Sequence, residues 1–339
     1  MKLPRLNPRQ IKGVSAALFS AVILGLPPIF GKQAILEGAA PLTVVMLRTT
    51  LSMALLWLAY LAFWRKYLYI YPVGLVGCVL AGLFNGLGSL MYYDGLGRLN
   101  ASLVQLIFTL YTIFLTLLSR LDGHPISRFT MFRLGVGLVA IYLITGIGTA
   151  QVDWLGVLFV LISGAMYALH VAVNQHILYD VPAPTVALYT ITAMAITVSA
   201  AYVIGGLPPL PATTAGWEFV VLLTVVTVLS RLALFTGVKY LGGVQAALLG
   251  LSEALVTIFI AAIVLDEKLT LTQWAGAAML GASVLLIARE KGLGVLPQPK
   301  PWFQILAAWP ARRPLPPLPP VPSPHPPPAV PPPPAKPGD

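Results

Sequence analysis

Ten long apolar runs, separated by short polar segments, follow one another between about Ile11 and Arg289. An apolar run of about 20 residues is long enough to cross a bilayer as a helix. Within lipid only helices and closed barrels satisfy every backbone polar group, and runs of this length suit helices. The pattern predicts an all-α integral membrane protein with ten transmembrane helices. The predicted spans are Lys12–Gly31, Leu42–Phe63, Pro72–Tyr92, Ala101–Ser119, Phe129–Gly148, Trp154–Asn174, Pro184–Ile204, Trp217–Gly237, Val244–Leu265 and Thr272–Ala288.

The second half of the chain repeats the first half at a nearly constant spacing. Equivalent residues lie 143 positions apart near the start of each half and 141 apart near its end. Two unrelated apolar segments would not keep their glycines and prolines in step over so long a stretch. The chain is therefore predicted to contain two repeats, residues 11–149 and 153–289. The matched pairs include Gly13 with Gly156, Ser20 with Ser163, Pro41 with Pro184, Gly95 with Gly237 and Leu99 with Leu241.

Each repeat holds five predicted spans, which is an odd number. A second copy that follows an odd number of crossings enters the membrane from the opposite side, so the repeats are predicted to be inverted. Inverted repeats give secondary transporters two related arrangements, each open to one side, around a site near the bilayer midplane. The duplication therefore favours a membrane carrier.

Local features accompany the duplication: Gly13 and Gly25 in the first predicted helix, an acidic turn at Leu265–Thr270, and Gly276 and Gly281 in the last helix. With these features the chain resembles the EamA family of the drug/metabolite transporter superfamily, over about residues 13–288. The resemblance implies a transporter of metabolites or drugs, often an exporter, in the cytoplasmic membrane. Amino acids, nucleosides, sugars and nucleotide-sugars all occur as substrates in that superfamily.

The composition also favours a membrane protein over a soluble domain. Hydrophobic residues make up 58% of the chain and charged residues 9%, whereas about a quarter of a soluble protein is charged. The net charge is +10, but the basic residues do not form a stripe interleaved with aromatic residues, so nucleic acid is not an expected partner. They concentrate on one side of the predicted spans, and the positive-inside rule places both termini in the cytoplasm. A multi-pass protein of the cell membrane is expected.

Glu253 is the strongest candidate for a functional ionisable residue. It lies near the middle of the predicted ninth span, where a charged side chain is costly and often marks a substrate or proton path. Two roles fit it: a group that couples transport to protons, or a counter-charge for a substrate amine. The structural alternative is an ion pair or hydrogen bond with a neighbouring span, with Arg231 as the obvious partner. Tyr111 has the equivalent place in the first repeat and could present its hydroxyl across the pseudo-axis.

Four further polar residues in the spans are candidates for substrate binding or coupling. Arg231 and Arg48 lie near span ends, so their long side chains are expected to snorkel toward the headgroups. The functional alternative for both is a cavity cation that binds a substrate carboxylate or phosphate. His170 is expected to hydrogen-bond to a neighbouring helix, and its alternative role is a proton relay. Asn85 is a candidate for polar lining of the cavity.

Pro27 and Pro28 remove two backbone donors inside the first span, so the helix is predicted to be kinked or broken there. A broken helix frees carbonyl groups that can line a cavity. Because Pro27 corresponds to His170 in the second repeat, we hypothesise that the two positions face each other across the cavity. The structural alternative is a packing kink that adjacent helices accommodate.

Two further segments have a structural interpretation. Gly82-x-x-x-Gly86 and Ala277-x-x-x-Gly281 are typical of helices that pack closely in lipid. By analogy, the fourth and last spans of each repeat are candidate homodimer surfaces. After Gly292 the sequence is rich in proline, which predicts a disordered cytoplasmic tail over residues 292–339.

Together these features favour a secondary transporter rather than an enzyme. The sequence shows no phosphate-binding loop, no metal-ligand pair at helical spacing and no nucleophile–base set, so no cofactor, metal or ATP-driven step is expected. The protein is predicted to export a small molecule by alternating access, with proton coupling through Glu253 as a further hypothesis. Two alternatives stay open: an integral membrane enzyme acting on lipid-linked substrates, and an uncoupled facilitator.

Overall fold

The computed structural model describes residues 8–121, 153–266 and 271–285, together with positions 128, 131, 132, 135, 136 and 139. Every regular element in these residues is helical, and a 3₁₀ turn lies between α3 and α4 at Arg65–Tyr67. The helices are α1 (Pro8–Leu24), α2 (Pro27–Leu36), α3 (Pro41–Ala62), α4 (Pro72–Arg98), α5 (Ala101–Thr109), α6 (Tyr111–Leu121), α7 (Trp154–Ile177), α8 (Ala183–Ile204), α9 (Thr214–Leu241), α10 (Gly243–Val264) and α11 (Leu271–Leu285).

Eight segments of the described residues are long and apolar enough to cross a membrane. α1 and α2 together form the first, Ile11–Leu36, and α5 and α6 together form the fourth, Ala101–Ser119. The others lie in α3, α4, α7, α8, α9 and α10. The prediction of a multi-pass helical membrane protein is confirmed. α11 occupies the place of the predicted tenth span. The predicted fifth span, apart from isolated positions, lies outside the described residues, and so does the proline-rich tail.

The first span is broken, as its two prolines predict. α1 ends at Leu24 and α2 begins at Pro27, and Pro28 has no N–H to donate to the carbonyl of Leu24. The carbonyl oxygen of Gly25, inside the break, accepts a hydrogen bond of 2.8 Å from the Thr257 hydroxyl. A carbonyl freed from one helix is thus satisfied by a neighbouring helix, as lipid requires. The break joins the first span to α10.

The two repeats pack on each other through reciprocal helix pairs. α1 of the first repeat packs against α9 of the second, and α7 of the second packs against α4 of the first. A glycine permits the approach in each pair: a Cβ at Gly13 would lie 2.9 Å from Leu241, and one at Gly156 would lie 3.0 Å from Leu99. Equivalent residues therefore make equivalent contacts with the two halves exchanged, which is what a two-fold relation between the repeats produces. The same exchange relates the contact of Gly237 with Ala17 to that of Gly95 with Val160.

α4 lies closely against α8 at the first of the two predicted packing motifs, Gly82-x-x-x-Gly86. A Cβ at Gly82 would lie 2.6 Å from the carbonyl oxygen of Thr190, and one at Gly86 would lie 2.9 Å from Thr197. Close packing at Gly82 and Gly86 is therefore confirmed. The second predicted motif lies on α11, and the side chains of its Ala277 and Gly281 positions are outside the described residues.

We expect Gly82→Ala to lower the thermal stability of the protein. The added methyl group meets backbone atoms of α8 that cannot rotate away, and overpacking of this kind costs about 1–3 kcal/mol. Gly164→Ala on α7 is the matched control, because the nearest described atom would lie 3.5 Å from its Cβ and alanine is favoured over glycine in helices. Thermal unfolding midpoints in detergent measure both changes. Equal midpoints for the two variants would contradict the packing assignment.

Candidate functional site

A cavity lies where helices of both repeats meet. Its lining comes from α3, α4, α5, α7, α9 and α10 and from the break between α1 and α2, and it holds about 500 Å³ of empty space, counting its open side. Glu253 lies at the midpoint of α10 and Asn85 at the midpoint of α4, so the cavity reaches the middle of the spans. Five of the predicted site residues line it: Pro27, Arg48, Asn85, Arg231 and Glu253.

The two arginines are buried and line this cavity. Arg48 is 7% exposed and Arg231 is 6% exposed, so the expectation that they snorkel is wrong for both. Arg48 Nη2 donates to Ser89 Oγ at 3.3 Å, and the Arg48 guanidinium carbon lies 4.7 Å from the centroid of the Tyr93 ring. The corresponding distance from Arg231 to the Tyr167 ring is 5.5 Å. Because the face of an aromatic ring attracts cations, these rings help to stabilise both charges at this depth.

His170 contacts Arg231 but is not among the described residues that line the cavity. Because arginine can only donate, His170 Nε2 accepts from Arg231 Nη1 at 3.3 Å, which leaves the proton on Nδ1 to be donated to the Ala81 carbonyl at 2.9 Å. Arg231 Nη2 donates to Asn85 Oδ1 at 3.3 Å. His170 therefore makes the expected hydrogen bond to a neighbouring helix and positions Arg231. Of the two positions hypothesised to face each other across the cavity, Pro27 is among the described lining residues and His170 is not.

Glu253 is held by an amide and not by an arginine. Gln105 Nε2 donates to Glu253 Oε1 at 2.8 Å, and the Tyr92 hydroxyl donates to Gln105 Oε1 at 3.0 Å. Within the described residues Glu253 and Arg231 do not form an ion pair within 4 Å, so this form of the structural alternative is not found. The other structural alternative for Glu253, a hydrogen bond to a neighbouring span, is present in the bond from Gln105. Gln105 is not among the predicted site residues, although an amide within an apolar run, like Asn85, was the available signal.

Aromatic side chains form the rest of the wall. Tyr111 is not among the described lining residues, and it packs edge-on against Tyr167 with ring centroids 4.8 Å apart and beside Phe108 at 5.4 Å. Its hydroxyl would lie 2.7 Å from a Cβ built at Gly250, on the helix that carries Glu253. Tyr111 therefore reaches across to the second repeat and supports the cavity wall from behind.

The arrangement provides groups for reversible binding. Two cations, one carboxyl group and several aromatic faces converge on one concave space, which is the usual composition of a site for a small charged molecule. Within the described ranges, no group of three His, Cys, Asp or Glu side chains is placed to hold a metal ion. A polar cavity enclosed by apolar spans from two related halves is the architecture of a membrane transporter.

The family follows from the sequence match. The model of the EamA-like transporter family matches residues 11–146 and 154–289, and the chain belongs to this family, which is part of the drug/metabolite transporter superfamily. Each half of the chain matches the family model separately, in agreement with the duplication. The chain is thus a membrane transporter, as its resemblance to the family predicts.

Relatives named as transporters support the same conclusion. The chain is 26% identical over 281 residues to the uncharacterized transporter YcbK of Bacillus subtilis (strain 168), covering 78% of this chain and 88% of the relative. It is also 26% identical over 281 residues to an uncharacterized transporter of Archaeoglobus fulgidus, covering 82% of this chain and 97% of the relative. A crystal structure of another protein is 17% identical with a TM-score of 0.62, covering 81% of this chain and 96% of that one. This last likeness concerns the fold alone.

Proposed function

We propose that this protein is a secondary transporter that exports a small metabolite or drug across the cytoplasmic membrane by alternating access. The observation that carries the proposal is the cavity, which lies between the two repeats and holds Arg48, Arg231 and Glu253 at the depth of the spans. Ionisable side chains are costly at that depth and mark substrate or ion pathways. Export is the direction that membership of the family favours.

The described helices support an inverted arrangement of the repeats. Three spans separate Gly13 from Leu99: α1 with α2, α3, and α4. Three crossings place Leu99 on the opposite side of the membrane from Gly13. Gly156, near the start of the second repeat, packs against Leu99, so the second repeat begins on the side opposite to the first. Two repeats of opposite orientation around one cavity supply the two access states.

The proposal extends this arrangement to the whole chain. In this proposal ten transmembrane helices form two repeats at residues 11–149 and 153–289, and a proline-rich tail follows at residues 292–339. Both termini lie in the cytoplasm, and the basic residues Arg65, Lys66 and Lys239 on that side support the orientation through the positive-inside rule. The bilayer is a partner of the chain, and the fourth and last spans of each repeat are proposed surfaces of a homodimer.

The site residues take different roles in the proposed transport cycle. A coupling group must bind and release a proton, a solute-binding group must face the cavity, and a positioning group must hold one of these in place. The contacts described above suit particular residues to each role. In this proposal Glu253 couples transport to protons, Arg48 and Arg231 bind the solute, Asn85 and His170 hold Arg231, Pro27 keeps the first span broken, and Tyr111 supports the aromatic wall.

A screen by thermal stabilisation, followed by flux measurements, tests the carrier proposal. A solute that binds the folded protein raises its unfolding temperature. Each stabilising solute is then loaded into proteoliposomes, and its efflux without ATP is compared with that from protein-free liposomes. We expect saturable efflux of at least one stabilising solute. Stabilisation without flux, or chemical conversion of a lipid-linked compound, would favour the membrane enzyme and overturn the carrier proposal.

A further inference from the structure

The cavity carries more positive than negative charge. Arg48 and Arg231 both line it, whereas Glu253 is the acidic residue of its described lining. In the part of the chain that the structure describes, neither arginine forms an ion pair with a carboxylate within 4 Å. A buried cation without a counter-ion is costly, and a bound anion removes that cost. The charge balance therefore favours an anionic ligand.

Both guanidinium groups also keep unused hydrogen-bond donors. Nε of Arg48 and Nε of Arg231 are buried without a hydrogen-bond partner. The bonds that hold the two groups, to Ser89, Asn85 and His170, are each 3.3 Å long and go to uncharged acceptors. Hydrogen bonds of that length are weak. A planar guanidinium pairs more strongly with the two oxygens of a carboxylate or a phosphate.

Aromatic rings flank both cations. The Tyr93 ring lies beneath Arg48 and the Tyr167 ring beneath Arg231. Phe108 lines the same space, with its ring centroid 5.1 Å from that of Tyr167. Aromatic faces contribute contact area to apolar and flat groups. A ligand with a charged end and an apolar body would therefore meet matching surfaces at both ends.

We propose that the cavity binds a small organic oxyanion, a carboxylate or a phosphate ester, through Arg48 and Arg231, with its apolar body against the aromatic rings. This assignment rests on the proposed function only in that the bound anion is the transported solute. Glu253 does not hold the anion, because like charges repel. A zwitterionic ligand would bind differently, because its amine would pair with the Glu253 carboxylate.

Four compounds that share a phenyl ring test the charge preference of the purified full-length protein. 3-Phenylpropionate and phenyl phosphate carry only an oxyanion, phenylalanine carries a carboxylate and an amine, and phenethylamine carries only an amine. Titration calorimetry in detergent gives the four dissociation constants. We expect at least one oxyanion to bind about tenfold or more tightly than phenethylamine, and phenylalanine to bind no more tightly than 3-phenylpropionate. The tighter of the two oxyanions identifies the head group.

Variants connect the preference to the two arginines. Arg48→Gln and Arg231→Gln should each weaken oxyanion binding about tenfold or more, because each loses charge-assisted hydrogen bonds. Arg98→Gln, which changes a half-exposed ion pair outside the cavity, is the matched control and should leave the affinity unchanged. Glu253→Gln should bind the oxyanion at least as tightly as the wild type. Unfolding temperatures of the unliganded variants check folding, and either arginine variant suffices if the other does not fold.

Several outcomes would overturn the assignment. Tighter binding of phenethylamine, or tighter binding of phenylalanine that is lost in Glu253→Gln, would show a cation or zwitterion site. Absence of binding by both oxyanions would also overturn it. Flux measurements separate this result from the proposed function. A protein that moves amines and no oxyanion is still a carrier, whereas one that binds the oxyanion without moving it keeps the site and loses the transport proposal.

Discussion

Glu253→Gln is expected to abolish the dependence of solute accumulation on a pH gradient. If one proton moves with each solute molecule, a gradient of one pH unit supports an accumulation of about tenfold. Glutamine can still accept the hydrogen bond from Gln105, but it cannot bind and release a proton. The wild type should therefore accumulate solute about tenfold across one pH unit, and the variant should stop at an equal concentration on both sides. Labelled solute in proteoliposomes, corrected for protein-free liposomes, measures both ratios.

Glu218→Gln is the matched control for this experiment. Glu218 lies exposed on α9, so the same chemical change there should leave accumulation intact. Movement of solute down its own gradient should persist in Glu253→Gln, which shows that the variant is folded and still a carrier. If the variant accumulated solute as well as the wild type, Glu253 would have no part in coupling. If the wild type itself ignored the pH gradient, the uncoupled facilitator would be the better description.

Much of the fold could be predicted because the bilayer imposes strict rules on sequence. A span must be long, apolar and helical, so hydropathy alone located the eight spans that the structure describes. The break at Pro27 followed from the missing backbone donors. The close approach of α4 to α8 followed from Gly82 and Gly86, because small residues are what close packing in lipid requires.

The direction of polar side chains could not be predicted in the same way. Arg48 and Arg231 lie near span ends in the sequence, and whether such a residue reaches the headgroups or the interior depends on which face of its helix meets a neighbour. His170 was placed at the cavity by its position in the repeat, yet it forms the layer behind Arg231. Gln105 is an amide in an apolar run, but its sequence position does not tell that it donates to Glu253 on another helix. These details depend on packing between helices that a single sequence does not specify.

The scaffold is symmetric, whereas its chemistry is not. Arg231 lies 142 positions after Ser89, and both side chains line the cavity. Glu253 lies 142 positions after Tyr111, which is a wall residue of the first repeat. The repeat relation therefore identifies equivalent places around the cavity, but it does not tell which half carries the charge. The second repeat supplies Glu253 and Arg231, whereas the first supplies Arg48 and Gln105, the amide that donates to Glu253.

A disulfide formed after the paired changes Glu37→Cys and Gly216→Cys is expected to stop transport. Glu37 follows the end of α2, and its Oε2 accepts a hydrogen bond of 3.0 Å from Thr213 Oγ1, before α9. A Cβ built at Gly216 lies 3.7 Å from the Cβ of Glu37, within the range of about 3.5–4.5 Å that disulfides adopt. The bond would join the first repeat to the second at one end of their spans, where α2 ends and α9 begins. Alternating access requires that end to open in part of each cycle, so covalent closure traps one state.

Efflux from proteoliposomes should fall to the protein-free rate after oxidation and recover after reduction. Cys78 is the natural cysteine of the chain and is buried in α4, so Cys78→Ala provides a background free of other thiols. Each single-cysteine variant treated with the same oxidant should keep its flux, which separates the cross-link from damage by the oxidant. Thiol titration confirms that the bond has formed. Undiminished flux through fully cross-linked protein would mean that this end stays closed throughout the cycle, and access would then have to alternate by movement elsewhere between the repeats.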